Sequence, residues 1–143
     1  MIEKKRADQL QIGEAFDGYM FTVTPELNQQ FLYAVDDCNQ RYLQESDLSS
    51  PMVHSVIFIH YSAVTRSPSF YLPPGMAAVV AKDEINYLNP GRVNKKFSIS
   101  WKVVDTYEKR GRPYQVTEIL IRDEDGLEIL RRWMNCTYIG GKE

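Results

Sequence analysis

Residues 94–107 show the clearest alternation of apolar and polar positions in the chain. The odd positions carry Phe97, Ile99, Trp101, Val103 and Tyr107, and most of the even positions are polar. A period of two is typical of a strand with one face in a core and the other in water. Shorter segments of similar character predict further strands over 14–23, 77–88, 114–122 and 127–139. Turn signals separate the later strands at 89–91, 109–113 and 124–126.

Two helices are predicted before the run of strands. Thr24 followed by Pro25 is typical of an N-cap and a first helical residue. An apolar residue then recurs every four positions, at Leu27, Phe31 and Val35. This spacing predicts a short amphipathic helix over 25–36.

The second predicted helix is apolar on nearly every side. Ser50 and Pro51 repeat the start signal, and the apolar segment that follows predicts a helix over about 51–65. A helix without a polar face is normally buried. The predicted order is strand, helix, buried helix and an antiparallel meander, which is an α+β arrangement with the helices on one face of a sheet. We expect one domain over 1–143, with 1–13 as an N-terminal extension.

Composition and charge exclude several classes of function. The net charge is −2, with acidic and basic residues mixed along the chain, so we expect no nucleic-acid partner. Two distant cysteines and two histidines give no recognisable metal set, and we expect no metal and no cofactor. No apolar segment is long enough to span a bilayer and the first residues contain no signal-peptide core. We therefore expect a cytoplasmic protein with reduced thiols and no membrane partner.

The candidate chemistry lies in residues 34–62, where a polar turn and loop lead into the buried helix. Asp36 and Asp37 lie at the C-terminal end of the first predicted helix, where its dipole disfavours negative charge. The residues from 38 to 50 are polar and predict a loop. Charged groups beside a core are uncommon unless they form ion pairs or take part in function, so this stretch is the candidate site.

Three short motifs in this chain resemble those of MaoC-like acyl dehydratases and (R)-specific enoyl-CoA hydratases. Residues 37–42 (DCNQRY) stand where that family has D-x-N-P-x-H, and 51–55 (PMVHS) stand where it has P-x-x-H-G. Residues 88–92 (LNPGR) resemble its third motif, P-x-x-x-G-D. The resemblance covers roughly residues 14–139 and implies the hot-dog fold, an antiparallel sheet wrapped around the helix at about 51–65.

This chain departs from the family pattern at three positions. Gln40 replaces the proline, Tyr42 replaces the catalytic histidine, and Ser55 replaces the glycine. A tyrosine with a pKa of about 10 is a poor base at neutral pH compared with a histidine with a pKa of about 6.5. His54 is an alternative partner if its side chain turns toward Asp37.

The resemblance implies a hydratase or dehydratase acting on an acyl-CoA or acyl-carrier-protein thioester. It implies Asp37 as the base and the amides near His54, Ser55 and Val56 as donors to the thioester oxygen, because a helix N-terminus has unpaired N–H groups. The implied catalytic residues are Asp37, Tyr42 and His54. The implied substrate-binding residues are Asn39, Arg41, Ser55 and Val56.

Two alternatives stay open. The altered motif is similar to that of catalytically weak or silent MaoC-type subunits, which would make this chain an acyl-binding partner of an active hot-dog subunit. A hot-dog thioesterase is the second alternative, although no Asp or Glu occurs between residues 51 and 65. The family expectation is a homodimer or a heterodimer with another hot-dog subunit. Acyl-chain length, the choice between CoA and carrier protein, and catalytic activity itself do not follow from the sequence.

Overall fold

The computed structural model describes residues 2–43 and 50–141, so residues 44–49 of the predicted loop lie outside the described residues. The described part of the chain contains seven strands: β1 (Lys5–Arg6), β2 (Ala15–Thr22), β3 (Phe70–Tyr71), β4 (Met76–Tyr87), β5 (Lys96–Lys109), β6 (Arg112–Asp123) and β7 (Glu128–Gly140). It contains two α-helices, α1 (Pro25–Ala34) and α2 (Ser55–Ser62). Short 3₁₀ helices cover Ala7–Gln9, Gln40–Tyr42 and Val64–Arg66.

Five strands form one antiparallel sheet in the order β2-β5-β6-β7-β4, and β1 pairs with β3 in a separate parallel ribbon. Side chains of α2 and the inner face of this sheet belong to one buried core, and those of α1 pack at its margin. The predicted α+β hot-dog arrangement is therefore confirmed. No helix in the described ranges has the length and apolar character needed to cross a bilayer.

The alternation along β5 predicts its buried face correctly only as far as a bulge. Phe97, Ile99, Trp101 and Val103 are all buried. The pairing with β6 then shifts between Val103 and Asp105, and a bulge of this kind changes which side chains face the core. Tyr107 therefore leaves the core and stacks on Tyr114, with ring centroids 5.0 Å apart.

The buried face of α1 differs from the predicted one. The helix ends at Ala34, and its buried residues are Asn28 and Leu32. Leu27 and Phe31 are only partly buried, and Val35 is exposed. The prediction followed the apolar spacing, whereas the helix is rotated so that a polar side chain, Asn28, faces inward.

The predicted start of the buried helix at Pro51 is wrong, because α2 begins four residues later with His54 as its N-cap. Residues 51–53 are extended and pair with 91–93. The amide of Val53 donates to the carbonyl of Gly91 at 2.8 Å, and the amide of Val93 donates to the carbonyl of Pro51 at 3.0 Å. These bonds hold the segment in an extended form, which also suits a β-branched residue such as Val53.

The first thirteen residues are partly built into the domain. Ala7 and Leu10 lie in the core, and their carbonyls accept hydrogen bonds from Nε2 of the buried Gln115 at 2.9 and 3.1 Å. The β1–β3 pairing adds a second connection. Much of the predicted extension therefore belongs to the packed unit.

Side chains from the surrounding structure satisfy the carbonyl groups at the C-terminus of α2. A helix leaves its last four carbonyls without intrahelical donors. Here the donors are Arg132 to Ile59, Arg66 to His60, Tyr19 to Tyr61 and Trp101 to Ser62. These bonds fix one end of α2 on the sheet and leave its N-terminus beside α1 and the loop that follows α1.

Candidate active site

The end of α1 sets the position of Asp37. Val35 is the C-cap, and Asp36 follows in the left-handed conformation with φ 54°. The amide of Asp36 donates to the carbonyl of Tyr33 at 3.3 Å, and the amide of Asp37 donates to the carbonyl of Leu32 at 3.0 Å. This pair of bonds is a Schellman motif. It directs the chain away from the helix axis and makes Asp37 the first residue of the site loop.

Local hydrogen bonds shape the loop from Asp37 to Tyr42. Oδ1 of Asp37 accepts the Asn39 amide at 3.0 Å, and Oδ1 of Asn39 accepts the Arg41 amide at 3.1 Å. Aspartate and asparagine favour turns because their side chains can bond to the backbone two residues further on. Asn39 thereby caps the 3₁₀ turn Gln40–Tyr42, which presents Tyr42 to His54.

His54 and Asp37 contact each other directly. Nε2 of His54 lies 3.2 Å from Oδ2 of Asp37, while Nδ1 accepts the Val56 amide at 3.2 Å. A neutral imidazole has one donor and one acceptor nitrogen, so we assign the ring proton to Nε2. His54 therefore donates to the carboxylate, and its remaining lone pair is used in capping α2.

Tyr42 packs against this pair. Its ring centroid lies 4.9 Å from that of His54, and the Arg41 guanidinium lies 5.8 Å from the Tyr42 ring centroid. Asp37, Tyr42 and His54, which the sequence predicts as catalytic, are thus brought together. The Asp37 side chain is 33% exposed and that of His54 is 14% exposed, so the pair stands between core and solvent.

Two cavities lie near the pair, one lined by Asp37 and the other by Tyr42 and Ser55. The first has a volume of about 280 Å³, and its lining includes Asp36, Asp37 and Cys38 together with Leu32 and Tyr33. The second has a volume of about 350 Å³. Its lining residues are Tyr42, Met52, Val53, Ser55, Phe58 and the segment from Tyr87 to Gly91. His54 lines neither cavity, but its ring bonds to Asp37 of the first and packs on Tyr42 of the second.

The amides that open α2 are already partly used. The His54 amide donates to Oδ1 of Asn28, the Val56 amide to Nδ1 of His54, and the Ile57 amide to the carbonyl of His54. Among the described residues, no group accepts a hydrogen bond from the Ser55 amide. The N–H group of Val56, which the resemblance implies as a donor to the thioester oxygen, bonds to the helix cap in this structure, and Ser55 has the remaining amide beside the second cavity.

The other predicted substrate-binding residues have structural partners. Oδ1 of Asn39 also accepts from Nε of Arg41 at 3.0 Å, so the two side chains bond to each other. Arg41 is exposed and does not line either cavity. In this arrangement Asn39 shapes the loop, and Arg41 stands at its surface.

The sequence gives no signal for one further residue at the site. Asn28 lies in the middle of α1 and is only 1% exposed. Asparagine in an amphipathic helix is ordinarily assigned to the wet face, and only the fold brings this side chain to the start of α2. No group of three potential metal ligands occurs within residues 2–43 and 50–141.

Neither the comparison with protein-family models nor the comparison with curated proteins gave a match. Solved structures do match. A monoamine oxidase regulatory protein from Archaeoglobus fulgidus has a TM-score of 0.77 at 14% identity, covering 99% of this chain and 98% of the other. A MaoC-like dehydratase from Rhodospirillum rubrum has a TM-score of 0.73 at 14% identity, with coverages of 97% and 99%. The (R)-hydratase PhaJ1 from Pseudomonas aeruginosa has a TM-score of 0.70 at 12% identity, with coverages of 94% and 88%.

The same fold also occurs in matches of other kinds. The HadBC (3R)-hydroxyacyl-ACP dehydratase complex from Mycobacterium tuberculosis has a TM-score of 0.64 at 16% identity, with coverages of 91% and 98%. A thioesterase-superfamily member from Thermus thermophilus has a TM-score of 0.61 at 12% identity, with coverages of 91% and 84%. At these identities the likeness establishes the fold, and the site must decide the function.

Proposed function

We propose that this protein is a hydratase or dehydratase acting on an acyl thioester, with Asp37 as its base. The observation that carries the proposal is the hydrogen bond between His54 and Asp37 at the N-terminus of α2, with Asp37 lining one cavity and Ser55 and Tyr42 lining a second. The carboxylate is neither buried in the core nor free in solvent. It is held by two hydrogen bonds and still borders a cavity.

In this proposal the thioester spans the two cavities and its reacting carbons pass beside His54. The Ser55 amide donates to the thioester oxygen, where negative charge develops. Asp37 removes a proton from water, and the water oxygen forms a bond to the β-carbon. The double-bond electrons move onto the thioester oxygen. The carboxyl group of Asp37 then returns the proton to the α-carbon, which restores the carboxylate and adds one water in total.

The test is hydration of crotonyl-CoA by the wild-type chain and by Asp37→Asn. Positioned proton transfer contributes roughly 10²–10⁴-fold, so kcat should fall by about that factor. Asp36→Asn is the matched control, because it removes the same charge from the neighbouring residue and from the same cavity. Asparagine also tolerates the left-handed conformation of residue 36. Equal rates for wild type and Asp37→Asn would exclude Asp37 as the base.

A second candidate function is supported by the same geometry. Tyr42 stands where the resemblance implies a histidine, and Nδ1 of His54 already accepts a hydrogen bond from the Val56 amide. Both features weaken catalysis and leave the cavities intact, which suits a non-catalytic acyl-binding subunit. Calorimetric binding of crotonyl-CoA without hydration would favour this function. Release of free thiol from an acyl-CoA would instead favour a thioesterase.

The free edge of the sheet supports the proposal of a hot-dog partner. In the described residues β4 pairs only with β7, so one side of a strand of 12 residues is without backbone partners. Its exposed apolar side chains include Val79, Val80 and Tyr87. Such an edge favours pairing with another strand. Light scattering should show a dimer, either of this chain or with a second hot-dog chain, and Val80→Lys should weaken it. A wild-type chain that stays monomeric and captures no second hot-dog chain would contradict the proposal.

A further inference from the structure

Asn28 forms three side-chain hydrogen bonds to three backbone groups. Its Nδ2 group donates to the carbonyl of Tyr42 at 3.2 Å and to the carbonyl of Met52 at 3.0 Å. Its Oδ1 atom accepts the His54 amide at 3.0 Å. Both amide protons of the side chain are thus used within the protein.

These partners belong to separate segments of the site. Tyr42 ends the 3₁₀ turn after α1, Met52 lies in the extended segment before α2, and His54 is the N-cap of α2. Asn28 itself lies on α1, whose C-terminus sets Asp37. One side chain therefore connects the helix that carries Asp37 to the backbones of both Tyr42 and His54.

The bond to His54 also bears on the state of its ring. With its amide held by Asn28, His54 keeps the extended backbone of an N-cap, φ −64° and ψ 133°. This conformation directs Nδ1 to the Val56 amide and Nε2 to Asp37. If the His54 backbone shifts, both ring contacts change together, because they share one rigid imidazole.

We infer that Asn28 is a positioning residue: it fixes the His54 ring as the Nε2–H donor to Asp37 and holds Tyr42 beside that ring. The effect of Asn28 on catalysis rests on the proposed function. The effect of Asn28 on the His54 ring is independent of that proposal, so the two effects can be tested separately.

The experiment compares Asn28→Leu with Gln115→Met as the matched control. Gln115 is a buried amide of the same kind, bonded to the carbonyls of Ala7 and Leu10 and to the hydroxyl of Tyr138. Each substitution replaces an amide by an apolar group of similar size and leaves three groups without that partner. Because the bonds of Gln115 lie among other elements, its substitution tests general loss of stability without touching the site.

The first measurement is ¹⁵N NMR of the histidine rings, with His60→Gln identifying the resonances of His54. The wild type and Gln115→Met should both show an unprotonated Nδ1 and a protonated Nε2. Asn28→Leu should show resonances averaged between the two tautomers. If the Asn28→Leu variant does not fold, Asn28→Ala replaces it. The smaller side chain admits water, which can bond to the three backbone groups that Asn28 leaves unpaired.

The second measurement is the rate of crotonyl-CoA hydration. A displacement of about 1 Å can cost about 100-fold, so we expect kcat of the Asn28 variants to fall roughly 10–100-fold with KM within about 3-fold. Gln115→Met should keep the wild-type kcat. An inactive wild type would refute the proposed function and leave the NMR result to decide the role of Asn28. Unchanged His54 resonances in both Asn28 variants, or equal changes in Gln115→Met, would overturn the inference.

Discussion

Substituting Arg132 by methionine should show how strongly the structure fixes the C-terminus of α2. The Arg132 side chain is only 5% exposed. Its Nε and Nη2 atoms donate to the two oxygens of Asp83 at 2.8 and 2.5 Å. Its Nη1 atom donates to the carbonyl of Ile59 at 2.9 Å and to Oγ of Ser62 at 2.8 Å. Methionine keeps most of the apolar stem and removes all four bonds.

The expected loss of stability follows from the groups left behind. Removing one member of a buried ion pair costs roughly 3–5 kcal/mol, because the other charge stays without a partner. The Asp83 side chain is 28% exposed and will be partly hydrated, which lowers this cost. The carbonyl of Ile59 loses the 2.9 Å bond from Arg132 and keeps the 3.4 Å bond from Oγ of Ser62, so it adds less than the roughly 1–3 kcal/mol of a fully unpaired buried acceptor. We therefore expect a decrease of about 3 kcal/mol in the free energy of unfolding.

Urea denaturation at one protein concentration measures this decrease, and a double-mutant cycle with Asp83→Leu separates the pair from the helix cap. Removing both charges should cost less than the sum of the single changes by about 1–3 kcal/mol. Lys95→Met is the control, since its ion pair with Asp125 has the same 2.5 Å separation but exposed side chains. Its urea midpoint should stay at the wild-type value. A loss below about 1 kcal/mol for Arg132→Met would show that other groups hold α2.

Two further predictions concern the core and its titration. Gly91→Ala should lower the free energy of unfolding by about 1–3 kcal/mol, measured by urea denaturation, because a Cβ there would overlap Cζ of Phe58 and lie 3.1 Å from Cζ of Phe97. Burial raises the pKa of Tyr19 to about 12, so its contribution to stability is complete below about pH 10, the unfolded value, and is lost as the pH rises toward 12. Urea midpoints measured between pH 9 and 11 should fall less steeply in Tyr19→Phe than in wild type; equal slopes would refute this.

The strands follow from the sequence because alternation is a local property. Phe97 to Val103 show which face of β5 is buried before any tertiary contact is known. The pattern stops being informative at the bulge after Val103. A register shift is a property of the two paired strands, so the sequence of β5 alone does not indicate it. The turn at Arg110 and Gly111 is predicted well, since both residues adopt positive φ there and glycine does so without strain.

The helix boundaries depend on partners distant in sequence and are predicted less well. Ser50 and Pro51 have the chemistry of a helix start, but the segment from 51 to 53 forms backbone bonds to 91–93 instead. The true N-cap is His54, a residue type that ordinary capping preferences rank below serine and aspartate. The apolar spacing of α1 likewise gives no indication that Asn28 is its most buried polar residue, because the groups that satisfy Asn28 are the later backbones of Tyr42, Met52 and His54.

The contact between His54 and Asp37 changes how the altered motif is interpreted. In the sequence, Tyr42 in place of histidine reads as a missing base. In the structure an imidazole reaches the same carboxylate from the start of α2, but its second nitrogen is occupied by the Val56 amide. The imidazole therefore orients the carboxylate and has no free lone pair to accept a proton. The proton transfers that the proposed reaction requires fall to Asp37 alone, and the precision of its position becomes the main determinant of rate. The rate of the proposed reaction then depends on the bonds that fix the geometry of Asp37, which are the Schellman motif before it and the side-chain bonds of Asn28.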